Sequence, residues 1–418
     1  MTIRILTSLT LLVSAATAAD TNWPSCRGPD QNGNSTEATP PTTWDVGSNK
    51  NILWKQPLPG KGCSTPIVWG DHIFVTAPVD GENALISFDW TGQKRWTTTL
   101  GDETRGKHKN GSGSNPSPVT DGETVFTLFK SGHLAAVDYT GKTLWETNLT
   151  ERFGRPSLYW DFGTSPVLTE NAVVAASMHG GDSYIAAFEK KSGDLLWKID
   201  RNYETPVEAD HSYASPIVID HNGSQALLVW GAQHLTAYAA SDGKLLWSCG
   251  GFNPEGKKNW VVVSSPVVVG DIAVVPFGRG ERLHGIRLGG SGDVTETHRL
   301  WVRDNTGTFV PTPASHNNTA VLGRDSRQVE AVDPKTGKTL WSGEFPKDSS
   351  KFYSSPTIAG DHLYAAREDG TVFTAKITPD FKLLAEIDMG ERTIASPVPV
   401  GDKLLLRGEK NLFCIGSE

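Results

Sequence analysis

Asp210 and His211 are adjacent, and an imidazole beside a carboxylate is the arrangement that orients a general base. Other groups suited to binding accompany them along the chain: His108, Trp160, Asp161, Tyr213, Trp260, Arg279 and Arg282, with Arg105, Lys109, Tyr159, Glu208, Glu281 and His284 close by. An indole stacks on the apolar face of a ring such as a sugar, and polar neighbours fix its orientation. Together these residues read as a face for a protein or carbohydrate partner. Asp210 and His211 read equally as loop residues bonded to backbone, and Trp160 and Trp260 as packing between loops. No motif names a reaction. The chain has no Gly-x-Ser-x-Gly, no His-Glu-x-x-His, no phosphate loop and no Asp-x-Asp-x-Asp-Gly calcium loop. No catalytic residue and no metal set is therefore assigned, and His72, His133 and His362 read as solvated residues near strand turns.

The elements that must position these residues come from a repeat. A Ser/Thr-Pro step followed by β-branched residues recurs at Pro66, Pro118, Pro166, Pro216, Pro266, Pro313, Pro356 and Pro397, at spacings of 52, 48, 50, 50, 47, 43 and 41 residues. That period suits a four-stranded propeller blade and is too long for a leucine-rich or ankyrin unit. Inside each unit a Gly-Asp or Asp-Gly turn closes a first hairpin, and a second turn leads to a segment such as Asp138-Tyr-Thr-Gly141-Lys-Thr-Leu-Trp145. The Asp bonds the amides of its own turn, the Gly takes a positive φ, and the Trp fills the gap between splayed sheets. Trp96, Trp145, Trp197, Trp247, Trp301 and Trp341 end six units, and Leu384 is expected in that place in a seventh. The eighth stops after Asn411-Leu-Phe-Cys-Ile, one strand short, and Asn51-Ile-Leu-Trp54 has the missing pattern. The expected fold is all-β, an eight-bladed β-propeller of four-stranded antiparallel blades. An N-terminal strand completes its last blade.

Composition agrees with a single propeller over residues 50–418 rather than several domains: Gly 43 and Pro 25 punctuate the chain, and 37% hydrophobic residues with 14 Trp supply a core. A net charge of −8 without a basic block argues against nucleic acid. Residues 1–19 have the charged, apolar and small-residue order of a signal peptide, so the mature chain is expected to be exported, periplasmic or extracellular. Residues 20–49 form an N-terminal extension, no later stretch is apolar enough for a transmembrane segment, and a monomer is expected. Four cysteines allow three pairings that spacing does not resolve, and Cys26–Cys63 is the disulfide candidate carried forward.

These residues resemble the PQQ-like β-propeller repeat proteins, the eight-bladed group that includes BamB and the propeller of quinoprotein alcohol dehydrogenases. A closer likeness, to exported planctomycete-type repeat proteins, rests on Trp23-Pro-Ser-Cys-Arg-Gly-Pro29 with Gly33, Leu53-Trp-Lys-Gln-Pro-Leu-Pro-Gly60, Gly289-Gly-Ser-Gly-Asp-Val294, and Gly390-Glu-Arg with Leu406-Arg-Gly-Glu409. Cysteines at 26 and 63 replace the aromatic or polar residues usual in that group. The resemblance implies a binding or scaffold role, with a PQQ-dependent oxidoreductase acting on alcohols or sugars as the alternative. That alternative needs a quinone over a Trp floor, a calcium held by carboxylate and amide oxygens, and an Asp base. The adjacent-cysteine disulfide of those enzymes has no counterpart here, so no cofactor is predicted. Long connections at 97–115, 146–164, 198–214 and 248–263, with the central turns 179–183 and 277–285, place the candidate residues on one face.

Overall fold

The structure, a computed structural model, describes residues 22–417, so the leader expected at residues 1–19 lies outside the described residues. Eight antiparallel sheets of four blade strands surround a central axis. Blades 1 to 7 span residues 67–102, 119–148, 167–200, 217–249, 267–304, 314–344 and 357–388. Blade 8 is made of Val398–Val400, Lys403–Arg407 and Asn411–Ile415, and its outer strand is Ile52–Pro57, with Trp54 opposite Cys414. The N-terminal strand thus closes the ring as expected. Middle strands such as Ala172–Ser177 are buried along their whole length because both faces pack on neighbouring blades, and this is why they read as unbroken apolar runs. Outer strands such as Leu195–Asp200 alternate instead between half-buried and exposed.

The Trp and Gly of the repeat clasp adjacent blades. Trp54, Trp96, Trp145, Trp197 and Trp301 each donate the indole N–H to a carbonyl in the next blade's last turn, at 2.8–3.2 Å. In that turn a glycine at φ 71–90° lies flat under the ring, where a Cβ would come within 2.6–2.8 Å of it (Gly92, Gly141, Gly193, Gly243, Gly337). Blade 7 corrects one expectation. Its last pairing carries the same bulge as blade 2 and puts Ala385 opposite Thr374, as Trp145 stands opposite Ala136, so Ala385 and not Leu384 takes the Trp place. Leu384 points outward. Trp44 of the extension packs in one cluster with Ala385, Ile387, Leu404 and Phe413, filling the seam between blades 7 and 8.

The Ser/Thr-Pro steps do more than open strands. Seven of the eight residues before these prolines donate their amide N–H to the side-chain hydroxyl of the counterpart in the next blade: Thr65 to Ser117, then on to Ser165, Ser215, Ser265, Thr312, Ser355 and Ser396, at 2.9–3.1 Å. Proline has no N–H to leave unpaired on the channel wall, and it holds the preceding residue extended, so one dipeptide supplies both the link and the turn into the strand. These hydroxyls form a collar around the axis.

Residues 22–50 are no loose extension. Trp23 pairs with Val68 of blade 1, Pro24 accepts from Thr120 of blade 2, and Gln31 bonds both backbone groups of Val218 in blade 4. Asn32 and Gly33 accept from Ser315 and Ile358 of blades 6 and 7, Asn34–Ser35 runs parallel to Thr357–Ala359, and Thr39 bonds Gly401 of blade 8. All these partners lie toward the far end of the innermost strands, opposite the long connections. The segment is a plug across one mouth of the channel.

Candidate functional site

On the open side of the collar the long connections enclose a funnel of about 460 Å³. Asp161 organises its wall. Its carboxylate accepts from the Lys107 and His108 amides at 2.8–3.0 Å and pairs with the buried Lys130 ammonium at 2.6 Å. Burial pushes this carboxyl up, but the Lys130 hydrogen bond and the two amides outweigh it and hold the group below its ordinary range. Asp161 is therefore an ionised strut that fixes the 97–115 connection, not a base aimed at the lumen. His108 stands edge-on to Trp160, ring centroids 4.8 Å apart, and its Nδ1 accepts from the Asn110 amide. The Trp160 amide in turn donates to the Tyr213 hydroxyl at 2.9 Å, while burial pushes the Tyr213 phenol up and keeps it neutral. Arg279, at φ 58°, lays its guanidinium over Phe309 at 4.4 Å on the opposite wall.

The funnel thus unites His108, Trp160, Asp161, Tyr213 and Arg279. Four other expected residues stand apart from it. Trp260 is buried beside Phe277 and is part of the blade 4–5 core, so it is not a stacking platform. Arg282 bridges Asp304 and Glu255 outside the funnel. Asp210 and His211 lie in a niche with Ser157 and His179, with His211 Nε2 3.8 Å from Asp210 Oδ1 and His211 Nδ1 buried without a partner. Asp210 Oδ2, His211 Nε2 and Ser157 Oγ lie 3.4–3.5 Å from the point a Cβ on Gly180 would occupy. The geometry does not make an oriented base of His211, because the contact to Asp210 is longer than a hydrogen bond.

The funnel also contains residues that sequence reasoning passed over. Tyr353 and Ile394 enter from the blade 6–7 and 7–8 connections, which are shorter than the four singled out by length. Asn110 belongs to a long connection and is tied to Glu368, which also bonds Arg392 at 3.2 Å. Asp325 accepts from the Phe309 and Val310 amides at 2.7 and 2.9 Å and so holds the Phe309 wall. The expected Cys26–Cys63 disulfide is not formed: both thiols are free. Cys63 lines the funnel and Cys26 lines a chamber beyond the collar, so the collar stands between them.

That chamber, about 290 Å³, lies between the collar and the plug and shares Thr65, Asn115, Tyr213 and Ser396 with the funnel wall, so the two are continuous. A calcium-bound quinone asks for free carboxylate and amide oxygens beside a flat aromatic floor. Among the described residues the only acidic side chain on the funnel wall, Asp161, is spent on Lys130 and two amides, and no three His, Cys, Asp or Glu side chains converge as a metal site. The residues present do not fit that group.

A closed ring of eight four-stranded blades with a one-ended axial funnel defines the class: a PQQ-repeat β-propeller. The chain belongs to the family described as outer membrane protein assembly factor BamB, whose model matches residues 43–214, 166–297 and 292–411. It is 25% identical to the outer membrane protein assembly factor BamB of Yersinia pestis over 320 residues, covering 73% of this chain and 69% of that one. Against the protein of the same name from Burkholderia pseudomallei it is 24% identical over 364 residues, 83% and 82% of the two chains. Among solved structures, BamB from Moraxella catarrhalis superposes with a TM-score of 0.62 at 13% identity, covering 88% of this chain and 97% of that one. The quinohemoprotein alcohol dehydrogenase of Comamonas testosteroni gives 0.66 at 13% identity, covering 96% and 81%. The likenesses to solved structures speak to the fold alone.

Proposed function

We propose that this protein is an exported, monomeric binding module that docks a protein partner on the face bearing the long connections. The observation that carries the reading is the exposure of large apolar groups on that face: Tyr159 is 60% and Trp160 36% exposed, their ring centroids 4.8 Å apart, and Val207 of the 198–214 connection is 61% exposed. The other large exposed apolar residues, among them Leu144, Leu196 and Leu340, are spread one to a blade along outer strands and form no patch. Export follows from the signal-like order of residues 1–19, and both the export and the protein partner are in keeping with relatives named for outer membrane protein assembly. A carbohydrate is the second occupant of the same face. It is favoured by the niche over Gly180, where carboxylate, imidazole and hydroxyl converge beside exposed aromatics as sugar hydroxyls require. The quinone-dependent alternative lacks its donor set and carries no step here.

A photo-crosslinking residue placed at Tyr159, and another at Leu340 on an outer strand, test the reading in cells of the source organism. Crosslinks to a discrete protein from position 159, absent from 340 and lost in Trp160→Ala, are the expected result. Adducts from 340 with none from 159 would overturn it. Retention on a glycan array that depends on Ser157 and Asp210, with no protein adduct, would replace the protein partner by a sugar.

A further inference from the structure

The chamber between collar and plug has a lopsided set of polar groups. Each collar hydroxyl from Ser117 to Ser396 accepts an amide N–H from the preceding blade, which leaves its own proton free to be donated. Ser265 donates weakly to the Ser215 carbonyl at 3.4 Å. Among the described residues no carbonyl or side chain accepts a hydrogen bond from the hydroxyl of Ser117, Ser215, Thr312, Ser355 or Ser396. Opposite them, Arg27 of the plug is 8% exposed. It donates to the Pro313 and Pro356 carbonyls at 3.0 Å, and its Nε is buried without a partner. No carboxylate of the described residues pairs with it, and no Asp or Glu lines the chamber. Its neighbour Cys26 does not supply the missing charge, because burial keeps that thiol protonated. A buried guanidinium, with a ring of hydroxyl protons and no anion in the wall, leaves a net demand for negative charge.

We propose that the axial chamber is an anion site. It takes one compact oxyanion, either free or as the charged group of a molecule seated in the funnel, held between Arg27 and the collar hydroxyls. The ion enters from the funnel side, since the two cavities are continuous and the plug closes the other mouth. Guanidinium supplies charge-assisted donors in a plane, and hydroxyls rotate to meet whichever oxygens remain. This assignment stands whatever docks on the outer face, since it uses none of the residues argued for that role.

The test is isothermal titration of the full chain with inorganic phosphate and with glucose 6-phosphate at fixed ionic strength, together with crystals soaked in selenate. Saturable one-to-one binding is expected, weakened about 10- to 100-fold in Arg27→Gln, the worth of a charge-assisted hydrogen bond, and largely kept in Arg27→Lys. Binding of phosphate itself identifies a free ion, and binding of the sugar phosphate alone identifies a charged head group. Should Arg27→Gln fail to fold, the selenate position decides, since it needs no variant. A selenium peak between Arg27 and the collar supports the site. Peaks at surface lysines only, an adventitious ion only, or heats of binding unchanged in Arg27→Gln, would overturn it.

Discussion

His284 shows how far a single side chain can be pushed by its surroundings. It is 1% exposed against Phe252, and its Nδ1 accepts from Arg299 at 2.8 Å. Burial, reinforced by the cations of Arg299 and Arg282, pushes its imidazole down to about 3. Above the ordinary imidazole range it is neutral folded or unfolded. As pH falls from about 6.5 toward 3, the unfolded chain takes up a proton that the folded one refuses, so stability is lost by up to about 1.4 kcal/mol per pH unit. His284→Gln keeps an acceptor for Arg299 but does not titrate. Its urea midpoint is expected to fall less than wild type between pH 7 and 4.5, and equal slopes would refute the assignment. The same scale explains what sequence left hidden in the site. Asp161 sits beside Trp160 and looks like a lumen-facing acid, yet its partner Lys130 lies 31 positions back on the central turn of blade 2, and only the folded chain brings them together.

At the level of the element, the motif behind the blade clasp was the most legible feature of the sequence, because Gly and Trp keep a fixed offset of four residues in five units, although the contact itself joins each Trp to the turn of the next blade. The error at Leu384 has an equally local cause. Every blade carries the same bulge in its last pairing, but blade 7 has Phe381 where five other blades have the turn glycine, so the marker from which the Trp place is counted is missing and Ala385, not Leu384, turns inward. The collar was only half legible: the Ser/Thr-Pro step is visible, but its hydrogen bond joins residues 41 to 52 positions apart. Gly193 offers a direct test of the clasp. It holds φ 75°, and a Cβ there would lie 2.6 Å from the Trp145 ring, so Gly193→Ala combines backbone strain with overpacking. A loss of about 2–4 kcal/mol in urea unfolding is expected, whereas Gly223→Ala, at φ 80° with nothing nearby, should show only the strain. Equal losses in the two variants would mean the indole does not rest on the glycine.

For the whole molecule, the period and the strand missing from the eighth unit were enough to derive a closed ring, while the plug carries no repeat and could not be read. Its ties to six blades make a definite prediction. Residues 47–50 are exposed, so a protease site engineered there can separate plug from closing strand. The freed segment should co-elute with the propeller on size exclusion and leave only when the ring unfolds, and a nicked protein that sheds it while staying folded would show that the plug is an accessory. The collar has one more property, which concerns its field rather than its strength. All seven links point the same way around the axis, blades 1 to 7 each donating to the next. Dipoles laid head to tail around most of a circle largely cancel. Unlike a helix end, which focuses partial charge where a ligand sits, this circulating arrangement is electrically quiet. The charge preference of the bore is therefore set by the few discrete side chains that project into it, and in the chamber Arg27 is the one among them that carries a full charge.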